Sequence, residues 1–243
     1  MTTRSLWRRR AAVAMLTLAA LAHASAHALD LPGAAPQAPQ PMPDYQPQRL
    51  ERIFVTHKDR PMAQQFVRLD RLDEQLAALR VHAGNPSPRF NSDAQQAAAR
   101  RDAIQLALVL VRVTASPEVG HALQLRTAIA LSVAHNVGAP EASAMADARF
   151  ERLLANTPSL PDGLLEYGIH LANTHRPELA LVPLRRAVAQ GNDNARWPLA
   201  ISLASLGRRD EALSELDALK ARQPDAAARY PLAATQAQLR AGG

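Results

Sequence analysis

The side chains that could do chemistry in this 243-residue chain are sparse and poorly grouped. His170 and His175 lie five apart, so a helix cannot put both on one face as a metal-ligand pair requires. There is no cysteine to act as nucleophile or ligand. HExxH, aspartate-rich calcium loops, G-x-S-x-G elbows and glycine-rich phosphate loops are all missing from the sequence. Asp70, Asp73 and Glu74 read as surface charge on an amphipathic helix, not as an acid–base pair. His57-Lys58-Asp59-Arg60 is the densest polar cluster and reads as a loop before Pro61. No catalytic residue, metal site or cofactor is expected, and an enzyme ranks well below a scaffold.

The chain opens with an address. Arg4, Arg8, Arg9 and Arg10 precede an apolar run from Ala11 to Ala22, and Ala24, Ala26 and Ala28 offer A-x-A cleavage sites. Residues 1–28 therefore read as a secretory signal peptide. Its 12-residue apolar core is shorter than the roughly 20 residues that a membrane span needs, and Pro32 and Gly33 follow. Without cysteine there is no lipobox, so a lipoprotein is excluded and a periplasmic or secreted protein is expected. The chain has 28 basic and 22 acidic residues. Loss of the leader's four arginines lowers the net charge from +6 to +2, spread with both signs interleaved. The basic stripe of a nucleic-acid binder is lacking.

Residues 29–48 form a Pro/Gln-rich linker holding six of the 18 prolines, too poor in large apolar residues to fold by burial. In the next region, 49–116, Met62, Phe66, Leu69, Leu72, Leu76 and Leu79 recur at three- and four-residue steps, which predicts a helix starting at Pro61. Ser92 and Gln95 have capping-box spacing and open a second helix. Its second half, carrying Ile104, Leu106, Leu108, Leu110 and Val113, reads as apolar on all sides and predicts a central, buried element. The β-branched run Val109–Val113 could instead be a strand, but its one partner candidate, Ile53-Phe54-Val55, is weak. Further helices are expected near 119–136, 141–156, 161–174, 177–190, 194–206, 209–222 and 226–241. Pro140-Glu141 and Pro177-Glu178 mark first turns, and Pro183 predicts a kink.

Three alanines, Ala146, Ala180 and Ala212, are spaced 34 and 32 residues apart. Each stands four residues before a large apolar partner: Phe150, Leu184 and Leu216. Around them lie Tyr167, Gly168, Leu171 and Ala187 in one copy, and Leu199, Ala200, Leu203, Gly207 and Pro224 in the next. The pattern resembles the tetratricopeptide repeat, W-x2-L-G-x2-Y, then A-x3-F, then P. Small residues let paired helices approach while large ones fill the space one turn away. Departures are visible: Leu164 and Arg196 stand where tryptophan is usual, His175 replaces the turn glycine, and Asn192 replaces the terminal proline. The hairpin holding Ala146 shows the pattern only in its second helix.

The resemblance implies an all-α fold of antiparallel helical hairpins stacked as a right-handed solenoid over 117–243, closed by a C-terminal capping helix. It also implies a concave groove for a protein or peptide partner. By repeat position, the groove candidates are Leu165, Ile169, Asn173, Trp197, Ile201 and Ser205. They are mostly apolar and lack the lysine–asparagine clamp that chaperone-associated members close on a terminal carboxylate. A hydrophobic segment or partner helix fits better, with Trp197 either an exposed anchor or an aromatic packed between hairpins. The expected function is an exported adaptor in the cell envelope, with homo-oligomerisation possible. Rival readings are an assembly subunit for polymer export or outer-membrane assembly, and an envelope hydrolase with an unrecognised site.

Overall fold

Helical hairpins joined by short, alike turns make up most of the molecule. The computed structural model describes residues 42–47, 50–56, 65–116 and 118–241. The leader, most of the linker, His57–Arg60, Pro61 and Met62 lie outside the described residues. A 3-10 turn at Leu50–Arg52 leads into strand β1 (Phe54–Thr56), which pairs antiparallel with β2 (Gln65–Val67), Phe54 opposite Val67. Ten helices follow: α1 (Leu69–Ala83), α2 (Asp93–Val113), α3 (His121–Asn136), α4 (Ala142–Asn156), α5 (Pro161–Asn173), α6 (Pro177–Ala189), α7 (Arg196–Ser205), α8 (Arg209–Arg222), α9 (Ala226–Arg229) and α10 (Leu232–Ala241). Among the described residues the fold is all-α apart from one small ribbon.

The N-terminal region departs from its sequence pattern. The helix expected from Pro61 begins only at Leu69, because Gln65–Val67 is extended and paired, and Arg68 N–H continues the ladder to Ile53 O at 2.8 Å. The run Val109–Val113 is helical. Yet α2 is not the central helix: Leu108 is 57% exposed, and only Ala99, Ala103, Leu106, Ala107 and Leu110 are buried. The central element is α3, which the repeat pattern had left weak and which buries residues on every side, from Leu125 to Asn136. At the other end, Pro231 splits the helix expected over 226–241, since a residue before proline is driven extended and Tyr230 obeys at φ −130°, ψ 143°. Glu141 precedes α4 in a left-handed conformation, so Pro140 is outside the helix. Pro177 does occupy a first turn, and α6 runs through Pro183 unbroken.

Three hairpins, α3–α4, α5–α6 and α7–α8, close in the same way. After each first helix, the backbone N–H three residues past the end reaches the carbonyl five residues back: Ala139 to Ala134, Arg176 to Leu171, and Arg208 to Leu203, all at 2.9 Å. The residue before each donor is left-handed: Gly138 at φ 82°, His175 at 58° and Gly207 at 72°. This is the Schellman closure, which satisfies orphan carbonyls and favours glycine. His175 fills a glycine's role at a backbone cost of about 1 kcal/mol.

The alanines and their partners sit where helices meet. Ala146, Phe150, Ala180, Leu184, Ala187, Ala200, Ala212 and Leu216 are fully buried, with Leu171, Leu199 and Leu203 nearly so; Tyr167 is half-buried and Pro224 exposed. At Gly168 a Cβ would overlap Leu184 Cγ and Cδ2, so the hairpin α5–α6 needs glycine there. Each helix from α2 to α8 packs on the next, and α5 also approaches both α3 and α7. Two apolar clusters result, one from Tyr45 to Leu153 and one from Leu164 to Leu239, with Tyr167 touching both.

Candidate functional site

Helix α1 is buried over about half of its circumference, and its 100° per residue sorts that arc into three stripes. Leu72, Leu76, Leu79 and Ala83 form the apolar middle, each at most 1% exposed. Gln75 and His82 form one flank, Asp73 and Arg80 the other, and all four are buried. Such polar burial is costly unless paired: Gln75, Asp73 and Arg80 find partners far away in the chain and His82 finds them seven and eight residues on, while Gln75 Oε1 has none.

On the first flank, Gln75 Nε2 donates to the Tyr45 hydroxyl at 3.0 Å, and that hydroxyl donates to Asp102 Oδ2 on α2 at 2.8 Å. His82 stacks on Phe90 with ring centroids 5.1 Å apart, and its Nδ1 donates to Arg89 O at 3.0 Å. Burial, then the Asp102 carboxylate, pushes the Tyr45 hydroxyl pKa well up. Asp44 accepts from Asn91 Nδ2 and Gln95 Nε2, which hold its pKa below the usual carboxylate range. The Ser92 hydroxyl caps α2 by accepting from Gln95 N–H, but the Gln95 side chain serves Asp44 and Tyr45 instead of closing a capping box.

On the second flank the receiving face belongs to α3 and α5. Arg126 of α3 grips Asp73 with Nε and Nη2 at 2.6 and 2.7 Å. Arg80 Nη1 donates to Glu166 Oε1 of α5 at 2.9 Å. The last residues of α3 and α5 complete the seat: Asn136 Nδ2 donates to Ala83 O and Asn173 Nδ2 to Gly84 O, both at 2.9 Å. Two asparagines at matching helix ends thus take consecutive carbonyls at the C-terminus of α1. Bidentate guanidinium–carboxylate pairing and side-chain amides to backbone fix both position and polarity of the seated helix.

The expected groove residues therefore fall out unequally. Asn173 belongs to the face that seats α1. Leu165 and Ile201 are buried at 4% and 3% exposure, Ile169 is half-buried and Ser205 exposed. Trp197 is not an exposed anchor: it stacks on Tyr230 with ring centroids 4.8 Å apart, inside the C-terminal packing. Arg126, Asn136 and Glu166 were not expected at this face.

A second polar cluster lies where the α3–α4 and α5–α6 turns meet, beside an open cleft of about 690 Å³ lined by residues including His135, Glu141, Asp147, His175 and Arg176. Asp147 of α4 holds both terminal nitrogens of Arg176, at 3.0 and 2.9 Å. Beneath them His170 of α5 is wholly buried, its Nδ1 2.9 Å from Ser132 Oγ and its Nε2 3.3 Å from Asp147 Oδ1 without hydrogen-bond geometry. Burial dominates and drives the His170 pKa down to about 4, with Arg176 and His135 acting the same way and Asp147 opposing. His135 is also lowered, first by burial and then by Arg176. A neutral imidazole, buried away from solvent, packs against the Phe150 ring there. Among the described residues, no group of three His, Asp or Glu side chains is placed to hold a metal ion, and no helix is long and apolar enough to cross a membrane.

The sequence did carry one unread signal for this cluster. His135 and His170 are 35 residues apart, close to the repeat spacing, which sets them on successive first helices with rings 6.4 Å apart. No protein-family model, curated protein or solved structure matches the chain.

Proposed function

We propose that this chain is an exported repeat protein of tetratricopeptide type that binds another protein in the cell envelope as an adaptor or scaffold. The observation that carries the reading is the identical closure of three successive hairpins, at Gly138, His175 and Gly207. Behind each turn lies the same pairing of a fully buried alanine with a large residue one turn on. Repeats of this kind cannot bury their apolar faces singly, so they stack and leave long surfaces for partners. The approach of α5 to both α3 and α7 supports a stack whose first helices share one side, and α10 packing on α8 supports a capping role. Export rests on the sequence of the leader.

The test is site-specific photocrosslinking in the native envelope, with the crosslinker at Ile169 or Ser205, which reach solvent on first helices. A discrete adduct with one envelope protein is expected from at least one of these positions. Adducts absent from both, in protein of normal abundance, would refute an adaptor function for that side.

A further inference from the structure

The face of α3 and α5 that holds Asn173, one of the residues the repeat pattern marks for a partner, is already occupied, and the occupant belongs to the chain itself. Helix α1 is not the regular mate of α2. Its close backbone approach is to α3, and nine residues, 84–92, separate it from α2, against three in the α5–α6 and α7–α8 turns. It lies instead across α3 and α5, its leucines spaced as i, i+4 and i+7 and flanked by one acid and one base seven residues apart. The geometry points to α1 as a resident stand-in for a partner: the α3–α5 face is a helix-recognition surface, and it accepts a helix bearing the α1 pattern in exchange for α1.

Charge defines the partner. Arg126 selects a carboxylate, Glu166 selects a cation two turns further along, and Asn136 with Asn173 require unpaired carbonyls, such as those ending a helix. The order is directional, because the reversed helix would set acid against Glu166 and base against Arg126. Leucines at the same spacing are needed as well, since Leu72, Leu76 and Leu79 are fully buried and their places must be refilled. The partner is therefore an amphipathic helix with an acid, three leucines and a base in the order found in α1. This inference rests on the adaptor reading and adds what the face recognises and what covers it meanwhile.

A fluorescent synthetic peptide of residues 68–86 serves as the probe, added to the intact protein. Tethering gives the resident helix an effective concentration in the millimolar range, so wild type is expected to bind the probe weakly. In Asp73→Asn/Arg80→Gln the resident helix loses its charges while the probe keeps them, and binding about tenfold tighter is expected. Adding Arg126→Gln and Glu166→Gln should erase the gain. No gain in a double variant of native helicity would overturn the inference. Hydrogen exchange on wild type needs no variant: α1 amides are expected to open before those of α3 and α5, and exchange at one common rate would overturn it. Light scattering should give a monomer, whereas a concentration-dependent dimer would assign the face to a second copy. An envelope partner crosslinked while α1 stays fully protected would sink this inference and leave the adaptor reading intact.

Discussion

The two halves of the molecule are held together by different physics. From α5 to α10 the interior is made by fitting small residues against large ones, and the residues that meet lie within neighbouring helices. From Tyr45 to α4 the core is equally apolar, but it is laced with buried polar side chains: Asp73, Gln75, Arg80, His82, Arg126, Thr127 and Asn136. Three of the buried polar residues in the second half, Glu166, His170 and Asn173, turn toward the first. Shape makes the hairpins. Charge and hydrogen bonding decide where the N-terminal helix is laid upon them.

That contrast is open to direct attack. The largest effect is expected at the polar seat. Arg126→Ala leaves Asp73 buried without its partner and should cost about 3–5 kcal/mol in urea unfolding. Replacing both at once, as Arg126→Met with Asp73→Leu, should cost less than the single change. A single-variant loss under about 1 kcal/mol would erase the distinction between the halves.

Next comes the polar cluster around His170, through pH. His170 takes up a proton near 6.5 when unfolded but only at about 4 when folded. The unfolded chain thus binds the proton first as pH falls. The stabilisation is complete above about 6.5 and is lost between there and about 4, by up to about 3 kcal/mol. His135 contributes with the same sign. Thermal melts across that window should show the slope, and His170→Gln should flatten it; an unchanged slope would place the acid sensitivity elsewhere.

The smallest of the three effects probes shape. Gly168→Ala forces Leu184 to move, so the gain in helix propensity is outweighed and a net loss of about 1–3 kcal/mol is expected. Combined with Leu184→Ala, which opens a cavity by itself, the total should fall short of the sum of the two single losses in a double-mutant cycle. Additive losses would mean that the two helices are not in contact at that point.

The halves also differed in how far they could be read from sequence, for the same physical reason. Ala180 and Leu184 or Ala212 and Leu216 are four residues apart and announce a helix face, and the repeat spacing announces the hairpin. Asp73 and Arg126 are 53 residues apart, Arg80 and Glu166 86, and Gly84 and Asn173 89. No local pattern links them, and Asp73 read as plain surface charge. Phe66 and Leu69 kept helical spacing by coincidence across the end of β2, since a three-residue strand is too short to display its own alternation. The burial of Trp197 depends on Tyr230, which stacks on it from beyond a proline break that the apolar pattern does not display.

Tyr45 bears on how the molecule meets force. Its backbone N–H is held by Gln95 of α2, and its hydroxyl joins Gln75 of α1 to Asp102 of α2. Tension drawn through the chain before Tyr45 meets the Asn91 contacts to Met42 and Asp44 first and this aromatic ring next, and is divided between two helices before it reaches β1. The ribbon, which has only a few backbone bonds to resist peeling, is shielded by a side chain that lies upstream of it.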